Sequence, residues 1–312
     1  MIIMEDNFKK YLQYDTYIAL GSFDGIHIGH VSLVNKTIKL ALKNKAKSMI
    51  FTFKNHPLSV VNKELVPKLI MDNSSKVKVL ESYGLDVLNM ANFNKELMQL
   101  SPEDFILNLV SHYRAKGLVV GFNNRFGYKN LGDVELLKKL SKKYGFDLCV
   151  VEPVKYKGQV VSSSIIRTSL SDEGDVKKVN KMLTRPFMLQ GDVVKGKQLG
   201  RTLGFPTVNL NYDKRFLLPR GGVYCTIVSY KGKFFKGITN VGYNPTVDDN
   251  RLSIETHMLD FNENIYNEHI KIYFMDRIRD EKKFSSIQFL AEQLKKDKMY
   301  AKKQKLEINF KN

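Results

Sequence analysis

Two histidines separated by two residues are candidates for phosphate chemistry. His27 and His30 close the segment 21–30, which also holds three glycines and reads Gly-Ser-Phe-Asp-Gly-Ile-His-Ile-Gly-His. A strand-like apolar stretch precedes this segment, and apolar residues at helical spacing follow it. The start of a helix offers free N–H groups and a positive dipole end, and glycines let the backbone approach a ligand. Two imidazoles on one helical turn could then donate hydrogen bonds to phosphate oxygens during group transfer.

The same two histidines have two alternative interpretations, a zinc site and a purely structural role. A His-x-x-His pair can supply two zinc ligands, but no third ligand stands at a telling spacing in this sequence. Their position inside a glycine turn, where a strand gives way to a helix, favours phosphate binding over both alternatives.

A second candidate site is the segment 191–209, which contains four glycines. Backbone N–H groups of a glycine-rich loop can hold phosphates, although a simple hairpin loop would have a similar composition. At its end Thr207 and Asn209 are two residues apart, so they face the same side of a strand. Their side-chain oxygens are the kind of ligand that Mg²⁺ prefers.

The elements that position these two segments follow two different patterns. From residue 16 to about 165, strand-like and helix-like stretches alternate, which predicts a doubly wound, Rossmann-like α/β domain with a parallel sheet. Ligands on such sheets bind beyond the carboxyl ends of the strands. After about Arg185, short strands alternate with turns, including a hairpin turn at Lys231-Gly232, and a helix follows. This pattern predicts an antiparallel β-barrel with a terminal helix, and we expect domains at 1–183 and 184–312.

Composition bounds the class of protein. The 312 residues are 43% hydrophobic and 26% charged, as in soluble globular proteins, and no apolar run is long enough to span a bilayer. The net charge of +18 favours anionic ligands, and the absence of zinc-finger, KH or RRM signatures argues against nucleic acid. Cys149 and Cys225 lie in apolar runs, which predicts buried free thiols. Since the start also lacks a secretory signal, we expect a cytoplasmic protein without a membrane partner.

Several motifs resemble one known family. The pattern Gly-x-Phe-Asp-Gly-x-His-x-Gly-His at 21–30 resembles the nucleotidylyltransferase motif of the bacterial bifunctional riboflavin kinase/FMN adenylyltransferases. Residues 162–167 resemble that family's Ser-Ser-Thr-x-Ile-Arg element, and residues 121–127 its flavin-facing loop. Pro-Thr-Val-Asn at 206–209 is similar to the riboflavin kinase hallmark Pro-Thr-Ala-Asn, and residues 279–284 to the family's closing element. The resemblance covers about 15–308, nearly the whole chain.

The resemblance implies two reactions. One is ATP-dependent phosphorylation of riboflavin to FMN in the C-terminal domain. The other is adenylyl transfer from ATP to FMN in the N-terminal domain, which gives FAD and pyrophosphate. The implied partners are ATP, riboflavin and FMN, with Mg²⁺ bound alongside ATP. His27 and His30 would hold the triphosphate, Arg167 the leaving pyrophosphate, and Glu255 would be the base for the ribityl 5′-hydroxyl.

The resemblance assigns three sets of residues. The catalytic set is His27, His30, Arg167, Asn209 and Glu255, and the metal set is Thr207 and Asn209. The ligand-binding set is Gly21, Phe23, Asp24, Gly29, Asn123, Arg125, Ser163, Ser164, Gly196, Gly200, Arg201, Gly204 and Arg279.

Besides Ser164 for Thr and Val208 for Ala, three further positions depart from the family pattern. Ser22 replaces the commoner Asn, Asn55 replaces a proline, and Asn124 stands where the family has an aromatic residue. Two alternatives therefore remain open. In the first, the chain keeps only one of the two activities. In the second, it is a basic flavin- or RNA-binding regulator.

Overall fold

The computed structural model describes residues 1–196, 204–243 and 252–305. The chain divides into two compact units. The first comprises Met1–Pro67 and Met71–Ser162, and the second comprises Lys68–Ile70 and the chain from Ser163 onward. Gly200 and Arg201, which the resemblance assigns to ligand binding, lie outside the described residues.

The first unit is built on a six-stranded, fully parallel sheet with the strand order β1-β4-β3-β2-β5-β6. Its strands are β1 (Ile2–Met4), β2 (Thr16–Leu20), β3 (Lys47–Phe53), β4 (Val87–Ala91), β5 (Ala115–Gly121) and β6 (Asp147–Val151). Its helices are α1 (Ile28–Lys43), α2 (Leu58–Val61), α3 (Asn73–Ser82), α4 (Lys95–Gln99), α5 (Pro102–Tyr113) and α6 (Val134–Tyr144). A small hairpin, β7 (Lys155–Tyr156) and β8 (Gln159–Val160), follows.

Both faces of the central strands are buried, because alternate residues of these strands enter two different cores. Ile18 of β2 packs with Phe105 and Leu109 of α5, whereas Ala19 packs with Val34 of α1. Strands that are buried on both faces need nearly continuous apolar sequences. The sequences of β2 and β5 are mostly apolar, as this requires. The predicted doubly wound α/β domain is confirmed.

The topology places a switch point between β2 and β5. From β2 the chain moves to β3 and β4 on one side, and it returns to β5 on the other side of β2. Ala19 of β2 is level with Val119 of β5, so Gly21 and Gly121 lie at the same carboxyl edge of the sheet. Crevices at such points are where open α/β sheets bind ligands.

The second unit contains a closed, antiparallel six-stranded barrel in the order β10-β13-β12-β11-β14-β9. Its strands are β9 (Phe187–Val194), β10 (Val208–Tyr212), β11 (Gly222–Tyr230), β12 (Lys233–Tyr243), β13 (Leu252–Met258) and β14 (His269–Arg279). Its helices are α7 (Ser163–Thr168), α8 (Val176–Leu183) and α9 (Ile287–Lys303). The turn between β11 and β12 has positive φ at both Lys231 and Gly232, as a tight hairpin requires. The predicted barrel with a terminal helix is confirmed.

Among the elements that the sequence patterns did not predict are three short strands. β1 extends the parallel sheet at its edge by pairing with β4, and β7 and β8 form a separate two-stranded sheet. Each strand has only two or three residues, too few to show a period. Cys225 is buried as expected, whereas Cys149 is half-buried, and both thiols are free.

Candidate active sites

The turn after β2 sets the two imidazoles face to face at the start of α1. His27 is the N-cap residue, and its Nδ1 accepts a hydrogen bond from the backbone N–H of His30 at 3.3 Å. The two rings stack with centroids 3.7 Å apart. Because Nδ1 of His27 is an acceptor, the proton of its neutral ring lies on Nε2, which is then a donor. His27 is only 6% exposed and His30 is half-buried, so both imidazole rings are largely removed from bulk water.

The backbone of this turn is held in an uncommon conformation. Phe23, Gly25 and Ile26 all have positive φ, at 48°, 80° and 41°. Such values are easy for glycine but costly for a β-branched residue such as Ile26. Phe23 is fully buried and its ring lies 5.0 Å from that of His30, so it packs beneath the turn, and its predicted contact with a ligand has no exposed surface here. Strain of this kind concentrates at functional sites.

The loop after β5 reaches the same carboxyl edge of the sheet as the histidine turn. Asn123 and Arg125 are both exposed there. Arg125 forms an ion pair of 3.4 Å with Asp133, which also caps α6 by accepting from the N–H of Leu136. The fold therefore brings the predicted flavin-facing loop and the histidine turn to neighbouring strands of one sheet, β5 and β2.

The Ser-Ser-Ser-Ile-Ile-Arg element begins the second unit. Ser163 is half-buried and Ser164 exposed, and both lie on the first turn of α7. Arg167 lies near the end of that short helix, and its Nε donates to the carbonyl of Lys68 at 2.9 Å. The roles of these three residues stay predictions.

In the barrel, strand register gathers the residues predicted for a kinase site. Asn209 of β10 is directly opposite Glu255 of β13, and Asn240 of β12 is opposite the same glutamate on its other side. Directly opposed residues of antiparallel strands point to the same face, with Cα atoms roughly 4.5–5.5 Å apart. The Glu255 side chain therefore lies between two side-chain amides.

Two glycines let side chains pack directly against the backbone near Asn209, Glu255 and Asn240. A Cβ on Gly196 would lie 2.0 Å from Nδ2 of Asn209, and a Cβ on Gly242 would lie 2.1 Å from Oε1 of Glu281. Both distances are far below a normal contact, so a side chain at either position would push the Asn209 amide or the Glu281 carboxylate out of its present place. Glu281 thus approaches the same end of β12 that carries Asn240.

A cavity of about 330 Å³ lies beside the start of β10. Its lining includes Val193, Pro206, Thr207, Met258, Phe261 and Tyr266. The wall combines apolar surface with the Thr207 hydroxyl, as small-molecule sites do. Thr207 lines this cavity, and Asn209 follows it two residues later on the same strand side. The cavity is therefore adjacent to the pair formed by Asn209 and Glu255.

His257 fixes the entry to β10. Its Nδ1 lies 2.9 Å from the carbonyl oxygen of Pro206, to which it donates, and its ring packs edge-on against Phe205. Burial lowers the pKa of His257, although the bond to Pro206 opposes this effect. The imidazole therefore stays neutral near neutral pH and holds the carbonyl that precedes Thr207.

Comparison with known protein families matches both halves of the chain. The FAD synthetase family model matches residues 9–165, and the riboflavin kinase family model matches residues 183–305. A bifunctional riboflavin kinase/FMN adenylyltransferase from Bacillus subtilis is 35% identical and covers 93% of this chain and 92% of its own. One from Buchnera aphidicola subsp. Schizaphis graminum is 34% identical, with 95% and 96% covered. The chain belongs to the bifunctional riboflavin kinase/FMN adenylyltransferase family.

A solved structure of similar fold has a different description. A crystal structure described as a macrolide-efflux protein from Streptococcus pneumoniae covers 97% of this chain and 99% of its own, with a TM-score of 0.86 and 30% identity. That description concerns the streptococcal protein, and its likeness to this family member supports the two-unit fold. Over residues 1–196, 204–243 and 252–305, no helix is long and apolar enough to cross a membrane.

Three residues of this family member lie near the pair formed by Asn209 and Glu255 in the barrel but were not predicted as site residues. Glu281 belongs to the segment 279–284 that resembles the family, and Asn240 and His257 lie on β12 and β13, but the positions of all three side chains depend on contacts with distant segments. His257 could have been found, because it lies two residues after Glu255 and therefore on the same face of β13.

Replacing Gly29 by alanine is expected to slow adenylyl transfer about tenfold, because small misplacements of a reacting group are costly. A Cβ at this position would lie 3.1 Å from both Cε1 and Nδ1 of the His27 ring. The ring must then move by a few tenths of an ångström. Initial rates of FAD formation from FMN measure the effect. Ser82→Ala, at an exposed position of α3, is the control for the first unit, and unchanged rates in Gly29→Ala would contradict the geometry.

Arg279, predicted to contact flavin or nucleotide, anchors α9 to the barrel. Its Nε and Nη2 donate to Asp297 at 3.0 and 2.8 Å, and Asp297 is 1% exposed. Its guanidinium also lies over the Phe284 ring. Ligand binding by Arg279 stays a prediction.

Arg279→Met should destabilise the second unit by about 3–5 kcal/mol, because it leaves the Asp297 carboxylate buried without its cation. Chemical denaturation of the full chain, followed by circular dichroism, measures the change. Lys295→Met, on an exposed position of α9, is the control. Equal stability of the two variants would mean that the pair contributes nothing.

Proposed function

We propose that this chain makes FAD from riboflavin in two steps, with riboflavin kinase in the barrel and FMN adenylyltransferase in the parallel-sheet unit. The observation that carries the proposal is that each unit has its own set of paired polar side chains. In the barrel, Glu255 lies opposite both Asn209 and Asn240. In the parallel-sheet unit, His27 stacks on His30 at the start of a helix. Each arrangement suits one phosphate-transfer reaction. We place the functional division between residues 183 and 184, as the sequence patterns predict.

Adenylyl transfer needs positioning and charge stabilisation rather than a covalent intermediate. A phosphate oxygen of FMN attacks the α-phosphorus of ATP, the bond from that phosphorus to the α–β bridging oxygen breaks, and pyrophosphate leaves. Negative charge grows on the phosphate oxygens in the transition state. The Nε2–H donor of His27 and the ring of His30, both at the N-terminus of α1, are fixed donors for that charge.

Phosphorylation of riboflavin needs a base within reach of the ribityl 5′-hydroxyl. Glu255 accepts the hydroxyl proton, the freed oxygen attacks the γ-phosphorus of ATP, and ADP leaves as the β–γ bridging bond breaks. The amides of Asn209 and Asn240 flank the carboxylate and can hold it in position. We assign the nucleotide to the cavity beside Thr207, because its wall is part apolar and part polar.

The residues present fit a magnesium ion. Thr207 and Asn209 offer neutral side-chain oxygens, and the carboxylate of Glu255 lies directly opposite Asn209. Mg²⁺ binds such oxygens together with substrate phosphates and neutralises part of their charge. We propose that Thr207 and Asn209 hold the ion while Glu255 remains available to the hydroxyl.

We also propose a cytoplasmic location. Cys149 and Cys225 are free thiols, the state that cysteines keep in a reducing compartment.

Product analysis tests the whole proposal. The full chain is incubated with riboflavin and ATP, with and without Mg²⁺, and flavins are separated by chromatography; FMN and then FAD should appear only with the metal. A parallel incubation with FMN should yield FAD and pyrophosphate. Flavin phosphorylation without FAD would mean that the chain keeps only the kinase activity. Flavin binding without any turnover would instead indicate a binding protein.

A further inference from the structure

A lysine is buried beneath the turn that carries the two histidines. Lys76 lies on α3 and is only 5% exposed. Its Nζ donates a hydrogen bond of 3.2 Å to the backbone carbonyl of Ser22, the second residue of the turn. None of the family motifs quoted above includes this residue.

Burying an ammonium group is expensive unless other groups compensate for the lost water. Burial lowers the pKa of Lys76, and the negative charge of Asp24 acts in the opposite direction. Asp24 is itself buried within the turn, between Phe23 and Gly25. Lys76 on α3 and Asp24 on the turn are therefore buried groups of opposite charge, and the direct contact of the lysine with the turn is its hydrogen bond to Ser22.

The Ser22 carbonyl is held from two neighbouring elements. It accepts one hydrogen bond from Lys76 and a second, of 2.9 Å, from Oγ1 of Thr52 on β3. A carbonyl oxygen has two acceptor positions, so both are used. The peptide that leads into the turn is thereby fixed in orientation.

The residues that follow need such support. Phe23, Gly25 and Ile26 have positive φ, and a β-branched residue keeps that conformation only where its surroundings impose it. His27 follows Ile26 directly, so any relaxation of the turn moves the N-cap imidazole and the ring of His30 stacked on it.

We propose that Lys76 is a positioning residue for adenylyl transfer: through its hydrogen bond to the Ser22 carbonyl, its ammonium group holds the turn 22–26 in the conformation that sets His27 and His30 for the ATP phosphates. The inference rests on the proposed adenylyltransferase function. It assigns Lys76 no contact with a substrate.

Lys76→Met in the full chain tests this role, because methionine keeps much of the side-chain volume and removes the charge. We expect kcat for FAD formation from FMN to fall about 100-fold, the effect of misplacing reacting groups by about an ångström. KM for ATP should change less than about threefold, because the lysine does not bind the nucleotide. Phosphorylation of riboflavin by the same preparation should be unchanged. Lys78→Met, at an exposed position of the same helix, is the matched control.

Chemical rescue separates the ammonium group from simple packing. Lys76→Ala leaves a space, and added ethylamine should restore part of the lost kcat, whereas Lys76→Met leaves no room and should not respond. Lys78→Ala should be insensitive to the amine. Lys76→Arg, which keeps the cation but changes its shape and reach, provides the test if the neutral variants do not fold. Its kcat for FAD formation should then be lower than that of Lys78→Arg with a similar KM for ATP, and equal kcat values in the two variants would contradict the inference.

Three results would overturn the inference. The first is an unchanged kcat in Lys76→Met. The second is a rise in KM for ATP without a fall in kcat, which would make Lys76 a ligand contact. The third is a lower thermal stability with full activity below the transition. A wild-type chain that makes no FAD would instead contradict the proposed function, so the two failures are distinguishable.

Discussion

Replacing His30 by alanine is expected to abolish FAD formation from FMN while leaving FMN formation from riboflavin intact. The imidazole sits at the N-terminus of α1, stacked on His27, where it can donate to oxygens that gain charge in the transition state. Loss of one such donor costs on the order of 10²–10³ in kcat. Because the ring also covers His27, its removal admits water to the remaining donor and adds to the loss.

The measurement uses one protein preparation and two assays, FAD from FMN and FMN from riboflavin. His112→Ala is the matched control, because His112 lies on α5 of the same unit, stacked on Tyr11. Loss of both activities in a folded His30→Ala protein would refute the assignment of two separate sites.

Replacing Glu255 by alanine should have the opposite effect: riboflavin phosphorylation is lost and FAD formation from supplied FMN persists. Glu255 lies between Asn209 and Asn240 and is the carboxylate we assign as base. Removal of a general base typically costs about 10²–10⁴ in rate. Glu255→Gln should be nearly as inactive, because an amide keeps the shape but cannot accept the proton.

Glu268→Gln is the matched control for this experiment. Glu268 is another barrel carboxylate, and it pairs with Lys231 at the tip of the β11–β12 hairpin. If Glu255→Gln retained full kinase activity, Glu255 would not be the base, and Glu281, which approaches the same end of β12, would become the next carboxylate to replace.

Much of the fold could be predicted from local patterns. The apolar stretch of β2, the glycines after it and the helical spacing of α1 are all within about 30 residues, so they place the histidine turn without any knowledge of tertiary contacts. The Lys231-Gly232 hairpin was equally local.

The contents of the sites were harder to predict, because they depend on contacts between distant segments. Asn209 meets Glu255 through strand register, which no local spacing encodes. Lys76 reads as a surface residue by type and was found only from its burial beneath the turn. Arg279 was assigned to a ligand because its segment resembles the family, whereas its main partner is Asp297, on a helix that packs on the barrel.

Closure of the barrel has a consequence for handling the protein. Every strand of the described barrel has a paired neighbour on both sides, so none of these six described strands is an edge strand. The parallel sheet does end in two edges, β1 and β6, and the side chains of Ile2 and Ile3 on β1 are about half exposed. Self-association through strand addition would therefore start at the N-terminal strand, and a fusion partner is better attached elsewhere than at Met1.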